Sequence, residues 1–474
     1  MDEQTQALLR GLPKIDELLL ILEKRNQDHP APREVTRSVC RDVVDNLRRS
    51  VMRKEDKEGT VRLPMAEEVA AAVEKRIQML HRRRLRRVIN ATGVILHTNL
   101  GRAPLCREAI DQLTAVSEGY SNLEFDLKRG ERGIRYDHIR ELLCLLSGVE
   151  DAMAVNNNAA AVFLALNTLA ENKEVIVSRG ELVEIGGEFR IPEIMEKSGA
   201  RLREVGTTNR TRLVDYERAI NPETGLILKV HSSNFKMIGF TEEASLEELV
   251  ALGKKYQLPV MYDVGSGCFV DLAEYGLPSE PVIRDVAAAG VDVLTFSGDK
   301  MLGGPQAGII LGRRNLLEKI KKNPLNRALR IDKLTLAALE STLRIYLSPR
   351  EAVDRLRILK ALTEPISDVT RRARKLLAML KRVLPSSFSL VLKSGESMVG
   401  GGALPGMTIP TMLLGVRIAG LSASRLEERL RQLEIPIIAR VANDELLLDL
   451  RTIGEEELKI IRDELSSPAV SAKD

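Results

Sequence analysis

Tryptophan is absent from this 474-residue chain and aromatic residues amount to 3%, so helix-forming Leu, Ala, Glu and Arg dominate its texture. The four cysteines, Cys40, Cys106, Cys144 and Cys268, are too scattered for a metal-ligand spacing, and a reducing cytoplasm is the expected setting. Among the five histidines, His29, His81, His97, His138 and His231, no two stand one helical turn apart, so no zinc site is expected. No apolar stretch is long and clean enough to span a bilayer. The start, Met1-Asp2-Glu3-Gln4, lacks a basic region followed by an apolar core, so neither export nor a membrane partner is expected. Gly303-Gly304-Pro305 lacks the lysine and hydroxyl residue of a nucleotide-binding Walker loop. Internal repeats and low-complexity tracts are also missing.

The 44% hydrophobic and 29% charged residues fit a globular protein, and the length is too great for one ordinary core. Net charge, +4 from 71 basic and 67 acidic residues, does not by itself point to nucleic acid. Residues 1–82 read as short amphipathic helices interrupted at Pro13, Pro30, Pro32 and Gly59. A helix expected over 65–87 closes on Arg82, Arg83, Arg84, Arg86 and Arg87, either a solvated helix end or a contact for a polyanion. From 83 to 347, apolar runs at 152–155, 175–178, 226–230, 259–262, 291–296 and 307–311 alternate with helical patterns. That alternation predicts an α/β core with a mostly parallel sheet covered on both faces. Residues 348–474 read as a smaller α+β domain, with a loop over 395–406 and a frayed tail after Leu465.

One lysine stands out. Lys300 follows the apolar run 291–296 and precedes a glycine-rich turn, at the strand end where parallel sheets form their crevices. It is either a Schiff-base lysine for pyridoxal phosphate (PLP) or a structural lysine snorkelling from the edge. Asp263 ends another apolar run and suits a partner for a pyridinium nitrogen, or a turn cap. Asn156, Asn157 and Asn158 open a helix after a strand, where a phosphate can meet N–H groups and amides, although asparagine is also an ordinary N-cap. Ser297 is a further phosphate candidate or a plain turn hydroxyl. His231 ends the run 226–230 and could lie beside the cofactor ring, as could Asn234 with a polar contact, while a lone histidine is often structural. The Gly400-Gly401-Gly402 run fits a substrate loop or a structural turn.

In motif order and length the chain resembles bacterial selenocysteine synthases, the L-seryl-tRNA(Sec) selenium transferases. The resemblance is carried by residues 88–103 (VINATGVILHTNLGRA), by Asn156-Asn157-Asn158-Ala159-Ala160 and by the stretch from Thr295 through Lys300 to Gly308. It implies the PLP-dependent aspartate aminotransferase fold type, with an added helical N-terminal domain that recognises tRNA. It also implies conversion of seryl-tRNA(Sec) to selenocysteinyl-tRNA(Sec) with selenophosphate, through a PLP-bound aminoacrylyl intermediate. Lys300 would be the aldimine lysine, Asp263 the acid at the ring nitrogen and Asp299 an aspartate needed for the reaction. Arg102, Arg327 and Arg330 would surround the anionic selenium donor, the last two on one face if 326–330 is helical. The resemblance further implies a homo-oligomer, a pentamer of dimers. The rival expectation is a PLP-dependent β-eliminating or ammonia lyase acting on a small amino acid, since such enzymes share the central motifs.

Overall fold

The computed structural model describes residues 3–25, 31–53, 64–81, 83–182, 184–185, 189–278 and 280–471. His29, Pro30, Gly59 and Arg82 lie outside them. Chain contacts divide the protein into two units, Met1–Arg87 and Val88–Asp474.

In the first unit the helices Ile15–Arg25, Arg33–Arg53 and Ala66–His81 share one small core. Leu18 and Leu22, Val39, Cys40 and Val44, and Val73 and Ile77 recur at helical spacing, so each helix turns one apolar stripe inward. The third helix stops at His81, and residues 83–87 are not helical, which corrects the expected helix over 65–87. Helices of this length are held chiefly by burial of an apolar face. Beyond Ile77 that support ends: Met79 and Leu80 are half exposed, and Leu85 is 95% exposed. Arg83, Arg84, Arg86 and Arg87 therefore lie outside the helix, with a bend at Arg84 and Leu85.

The second unit contains two sheets. We number its principal strands β1 (Ile89–Ala91), β2 (Val94–Leu96), β3 (Asp151–Val155), β4 (Glu174–Ser178), β5 (Arg201–Val205), β6 (Thr224–Val230), β7 (Val260–Gly265), β8 (Val293–Ser297), β9 (Gly308–Gly312), β10 (Phe388–Gly400), β11 (Thr408–Ile418), β12 (Ile437–Ala442) and β13 (Glu445–Asp449). The main sheet has the order β3-β9-β8-β7-β6-β4-β5. Every neighbouring pair is parallel except those made by β9, which runs antiparallel to both β3 and β8. Only ten residues join β8 to β9, too few for the crossover that a parallel neighbour requires.

Alternate residues of these strands enter two cores. Ala152, Ile176, Ile227, Tyr262, Leu294 and Ile309 face one side, while Met153, Val177, Leu228, Met261, Val293 and Ile310 face the other. Both faces of the central strands are thus buried, whereas the edge strand β5 exposes Arg201, Arg203 and Glu204. Asn156 and His231 directly follow β3 and β6, Asp263 lies near the C-terminal end of β7, and Lys300 is in the turn after β8.

The smaller sheet has the order β1-β12-β13-β11-β10-β2. It takes in residues 89–96, which the sequence reading had assigned to the main core. Gly93 lets the chain pass between β1 and β2: it adopts φ +78°, and a Cβ there would lie 2.0 Å from Asp449 Oδ2. The expected loop over 395–406 begins later than predicted, because β10 stays paired with β11 as far as Met398. Gly395 is a strand residue that makes room for Leu413. The tail is also more ordered than expected, since the helix Pro468–Ser471 buries Val470 in the core of this domain. Among the described residues, no helix is long and apolar enough to cross a membrane, and no cluster of metal-ligating residues occurs.

Candidate active site

Asp263 and Lys300 come together because β7 and β8 are parallel neighbours, with Asp263 in register with Thr295. Asp263 is 6% exposed; its Oδ1 accepts hydrogen bonds from Asn158 Nδ2 (2.8 Å), Thr295 Oγ1 (3.0 Å) and the Gly265 N–H (3.2 Å). Burial pushes this carboxyl above its ordinary range, and the Asn158 and Thr295 bonds and the nearby Lys300 charge oppose the rise. Lys300 is equally buried, and burial followed by the Arg102 charge lowers its pKa against the pull of Asp263, Asp299 and Glu280. A lowered lysine pKa raises the share of neutral amine, the form that attacks a carbonyl.

Arg102 and Asp299 form an ion pair beside this lysine, Nη1 to Oδ2 at 2.8 Å. Arg102 has φ +59°, an uncommon conformation for a non-glycine residue, and its Nε is buried without a hydrogen-bond partner. The pair therefore fixes one edge of the guanidinium and leaves another available to an anion.

The three asparagines divide their work. Asn157 is the N-cap of the helix Asn158–Ala170, its Oδ1 accepting from the Ala160 N–H at 2.9 Å. Asn158 spends its Nδ2 on Asp263, and its Oδ1 is buried without a partner. Asn156 is exposed, with its N–H bonded to Leu329 O. Two of the three phosphate candidates, Asn157 and Asn158, thus spend side-chain atoms on the helix cap and on Asp263, while the candidate Ser297 is buried at the end of β8.

Arg327 and Arg330 do not share a helical face as expected. The helix Asn326–Leu329 ends before Arg330, whose ψ of 141° is extended. Arg330 instead bridges Val155 at the end of β3 and pairs with Glu124 Oε1 at 3.2 Å. Arg327 is exposed and makes no ion pair among the described residues. The structure brings Arg330 to the strand end that carries Asn156; Arg327 is one helical turn away on the surface.

His231 follows β6, and its N–H donates to the carbonyl of Asp263 at 2.9 Å. Its Nε2 lies 3.3 Å from Glu280 Oε2, close enough for an ionic contact but not aligned as a hydrogen bond. Beside it opens a cavity of about 920 Å³ that also touches Asn234, Glu280, Leu404 and Met407. Asn234 Nδ2 contacts Ser233 Oγ at 3.3 Å.

Two residues were missed by sequence reasoning. Glu280 lies in a proline-flanked stretch with no periodicity to announce it. Gly402 was legible only as part of a turn, yet it adopts φ +88°, and a Cβ there would lie 2.6 Å from Lys300 Nζ. Gly402→Ala is therefore expected to push the lysine amine aside and to cost about 1–3 kcal/mol in backbone strain. A lowered thermal midpoint checks this, and an unchanged midpoint would show that the lysine tolerates the contact.

A family model described as L-seryl-tRNA selenium transferase matches residues 88–454. The chain is 50% identical over 455 residues to the L-seryl-tRNA(Sec) selenium transferase of Carboxydothermus hydrogenoformans, covering 96% of each chain. It is 49% identical over 468 residues to that of Geobacter metallireducens, covering 98% of this chain and all of the relative. Among solved structures it is similar to a D-glucosaminate-6-phosphate ammonia-lyase, with TM-score 0.57 and 22% identity, covering 84% of this chain and 98% of that one, a likeness of fold.

Proposed function

The chain belongs to the L-seryl-tRNA selenium transferase family, and we propose that it takes selenium from selenophosphate and works as a homo-oligomer, a pentamer of dimers, in the cytoplasm. The reaction converts L-seryl-tRNA(Sec) to L-selenocysteinyl-tRNA(Sec), PLP is the cofactor, and the fold is the PLP-dependent aspartate aminotransferase type. The observation that carries this reading is that relatives named for the tRNA enzyme match along nearly the whole chain, the helical N-terminal unit included.

The residues present fit PLP. A buried amine of lowered pKa, a buried carboxylate on the neighbouring strand, a helix start and two buried polar atoms without partners, Asn158 Oδ1 and Arg102 Nε, all belong to one strand-end cluster. In this reading Lys300 holds the cofactor through its amine, Asp263 faces the ring nitrogen, and the helix start with Asn156 and Ser297 receives the phosphate. When bound, PLP withdraws electrons from the seryl α-carbon, which eases departure of its proton and then of the β-hydroxyl.

Lys300 is the base for the α-proton: its lowered pKa and the nearby charges of Arg102 and Asp263 favour an amine that accepts a proton and gives it back. Asp299 orients Arg102 through their ion pair, and Arg102, Arg327 and Arg330 draw the phosphate-bearing donor to the β-carbon. The net change replaces the β-hydroxyl by a selenol: the serine C–O bond breaks and a C–Se bond forms, the Se–P bond of the donor breaks, and its phosphoryl group leaves as inorganic phosphate carrying the oxygen of the water equivalent lost from serine, while the seryl ester to tRNA stays intact. Because that carboxyl is esterified, no arginine is required to pair with a free substrate carboxylate. The proposed domains divide accordingly: residues 1–82 recognise tRNA, 83–347 hold the cofactor but lend residues 89–96 to the smaller sheet, and 348–474 form the rest of the smaller domain.

The deciding experiment supplies purified protein with PLP and selenophosphate and offers seryl-tRNA(Sec) or free serine. Selenocysteine ester-linked to tRNA is the expected product. Release of ammonia and pyruvate from free serine, with the charged tRNA unchanged, would establish the small-substrate lyase instead.

A further inference from the structure

Glu280 has no part in the scheme above, yet it touches three of the segments that build the site. It is 4% exposed. Its Oε1 accepts from the Leu404 N–H, and its Oε2 accepts from Ser266 Oγ at 3.1 Å and faces His231 Nε2 at 3.3 Å. Leu404 lies two residues beyond Gly402, the glycine against Lys300; Ser266 directly follows β7, which carries Asp263; and His231 ends β6. Burying a carboxylate is costly unless it is paired and hydrogen-bonded. Burial alone would raise the Glu280 pKa, but the contacts with His231, Leu404 and Ser266 outweigh it and hold the carboxyl below its ordinary range.

A loop anchor alone would need only an acceptor for Leu404 and a partner for Ser266, which a neutral amide also supplies. The negative charge is explained by the imidazole that it faces. We infer that Glu280 is a positioning residue, which fixes the His231 ring with its charge and holds residues 402–404 against Lys300. Carboxylates that accept a hydrogen bond from a metal-ligating histidine matter by about tenfold to a hundredfold through ring orientation; Glu280 acts on the ring by the ionic contact at 3.3 Å, and an effect at the lower end of that range is expected.

The inference rests on the proposed function where turnover is concerned, so its test includes a readout that needs no tRNA. In the PLP-loaded full chain, Glu280→Ala is expected to speed hydrogen exchange at the Leu404 N–H by about tenfold or more, with β7 and β8 unchanged. Glu280→Gln keeps the shape and an acceptor for Leu404 and removes the charge. It should leave exchange there as in wild type while lowering kcat on seryl-tRNA(Sec) about tenfold or more, with KM within about twofold. The Glu280→Gln/His231→Ala double variant should turn over no more slowly than His231→Ala alone. Wild-type kcat in Glu280→Gln, or losses that add in the double variant, would reduce Glu280 to a loop anchor and overturn the inference. Wild-type exchange at Leu404 in Glu280→Ala would overturn the clamp. Absence of wild-type turnover on seryl-tRNA(Sec) would defeat the proposed function, and the exchange result would still decide whether Glu280 holds the loop.

Discussion

The Lys300→Ala protein is expected to lose conversion of seryl-tRNA(Sec) by at least about a thousandfold, since in the proposed scheme one side chain supplies both covalent attachment and proton transfer. The loss should come without unfolding. Lys300 sits in the turn after β8 and not in the ladder, and removing a buried amine relieves a desolvation cost. Asp263 keeps its bonds to Asn158 and Thr295, and the Arg102–Asp299 pair does not depend on the lysine. A thermal midpoint near or above that of wild type, with no pyridoxyl adduct recovered at position 300 after borohydride reduction, completes the expected result. Product formed at the wild-type rate would remove Lys300 from the mechanism, and an adduct found at another lysine of the active wild-type protein would move the site.

Lys300 and Asp263 were legible because each follows an apolar run, and a strand buried on both faces appears in sequence as an unbroken apolar stretch with the first polar residues near its C-terminal end. Glu280 was not legible because its partners, Ser266 and Leu404, are 14 and 124 residues away, and only the folded chain sets them around it. Gly402 had the same defect: a glycine in a glycine run looks like a turn until the lysine it must admit is in place. The strands β1 and β2 are three residues each, too short to show a period, so their membership of the smaller sheet could not be read locally. The antiparallel β9 was recognisable as a strand, but its direction depended on the length of its connection. Arg327 and Arg330 seemed coupled by helical spacing. That coupling fails because the helix stops at Leu329 and Arg330 joins the end of β3.

Removal of Met1–Arg87 should separate RNA recognition from cofactor chemistry. The remaining unit keeps its cores intact, because the three clusters that fill it draw on no residue before Ile89, and the helical unit has a separate cluster of its own. The shortened protein is therefore expected to fold, bind PLP and give the same pyridoxyl adduct at Lys300. Its affinity for seryl-tRNA(Sec) should fall on the order of a hundredfold at fixed salt, since phosphate contacts by basic residues dominate such binding. Arg83 and Arg84 are exposed and lie outside the helix, where their side chains are free to meet a sugar-phosphate backbone. Arg83→Ala/Arg84→Ala in the full-length protein should accordingly reproduce part of the loss and shallow the salt dependence by about one unit of log-log slope per contact removed. A gel or filter assay at several salt concentrations reads all three proteins. Binding by the shortened protein as tight as that of the full chain would assign tRNA recognition to the catalytic unit, whereas loss of its PLP adduct would mean that the helices are needed for the site itself.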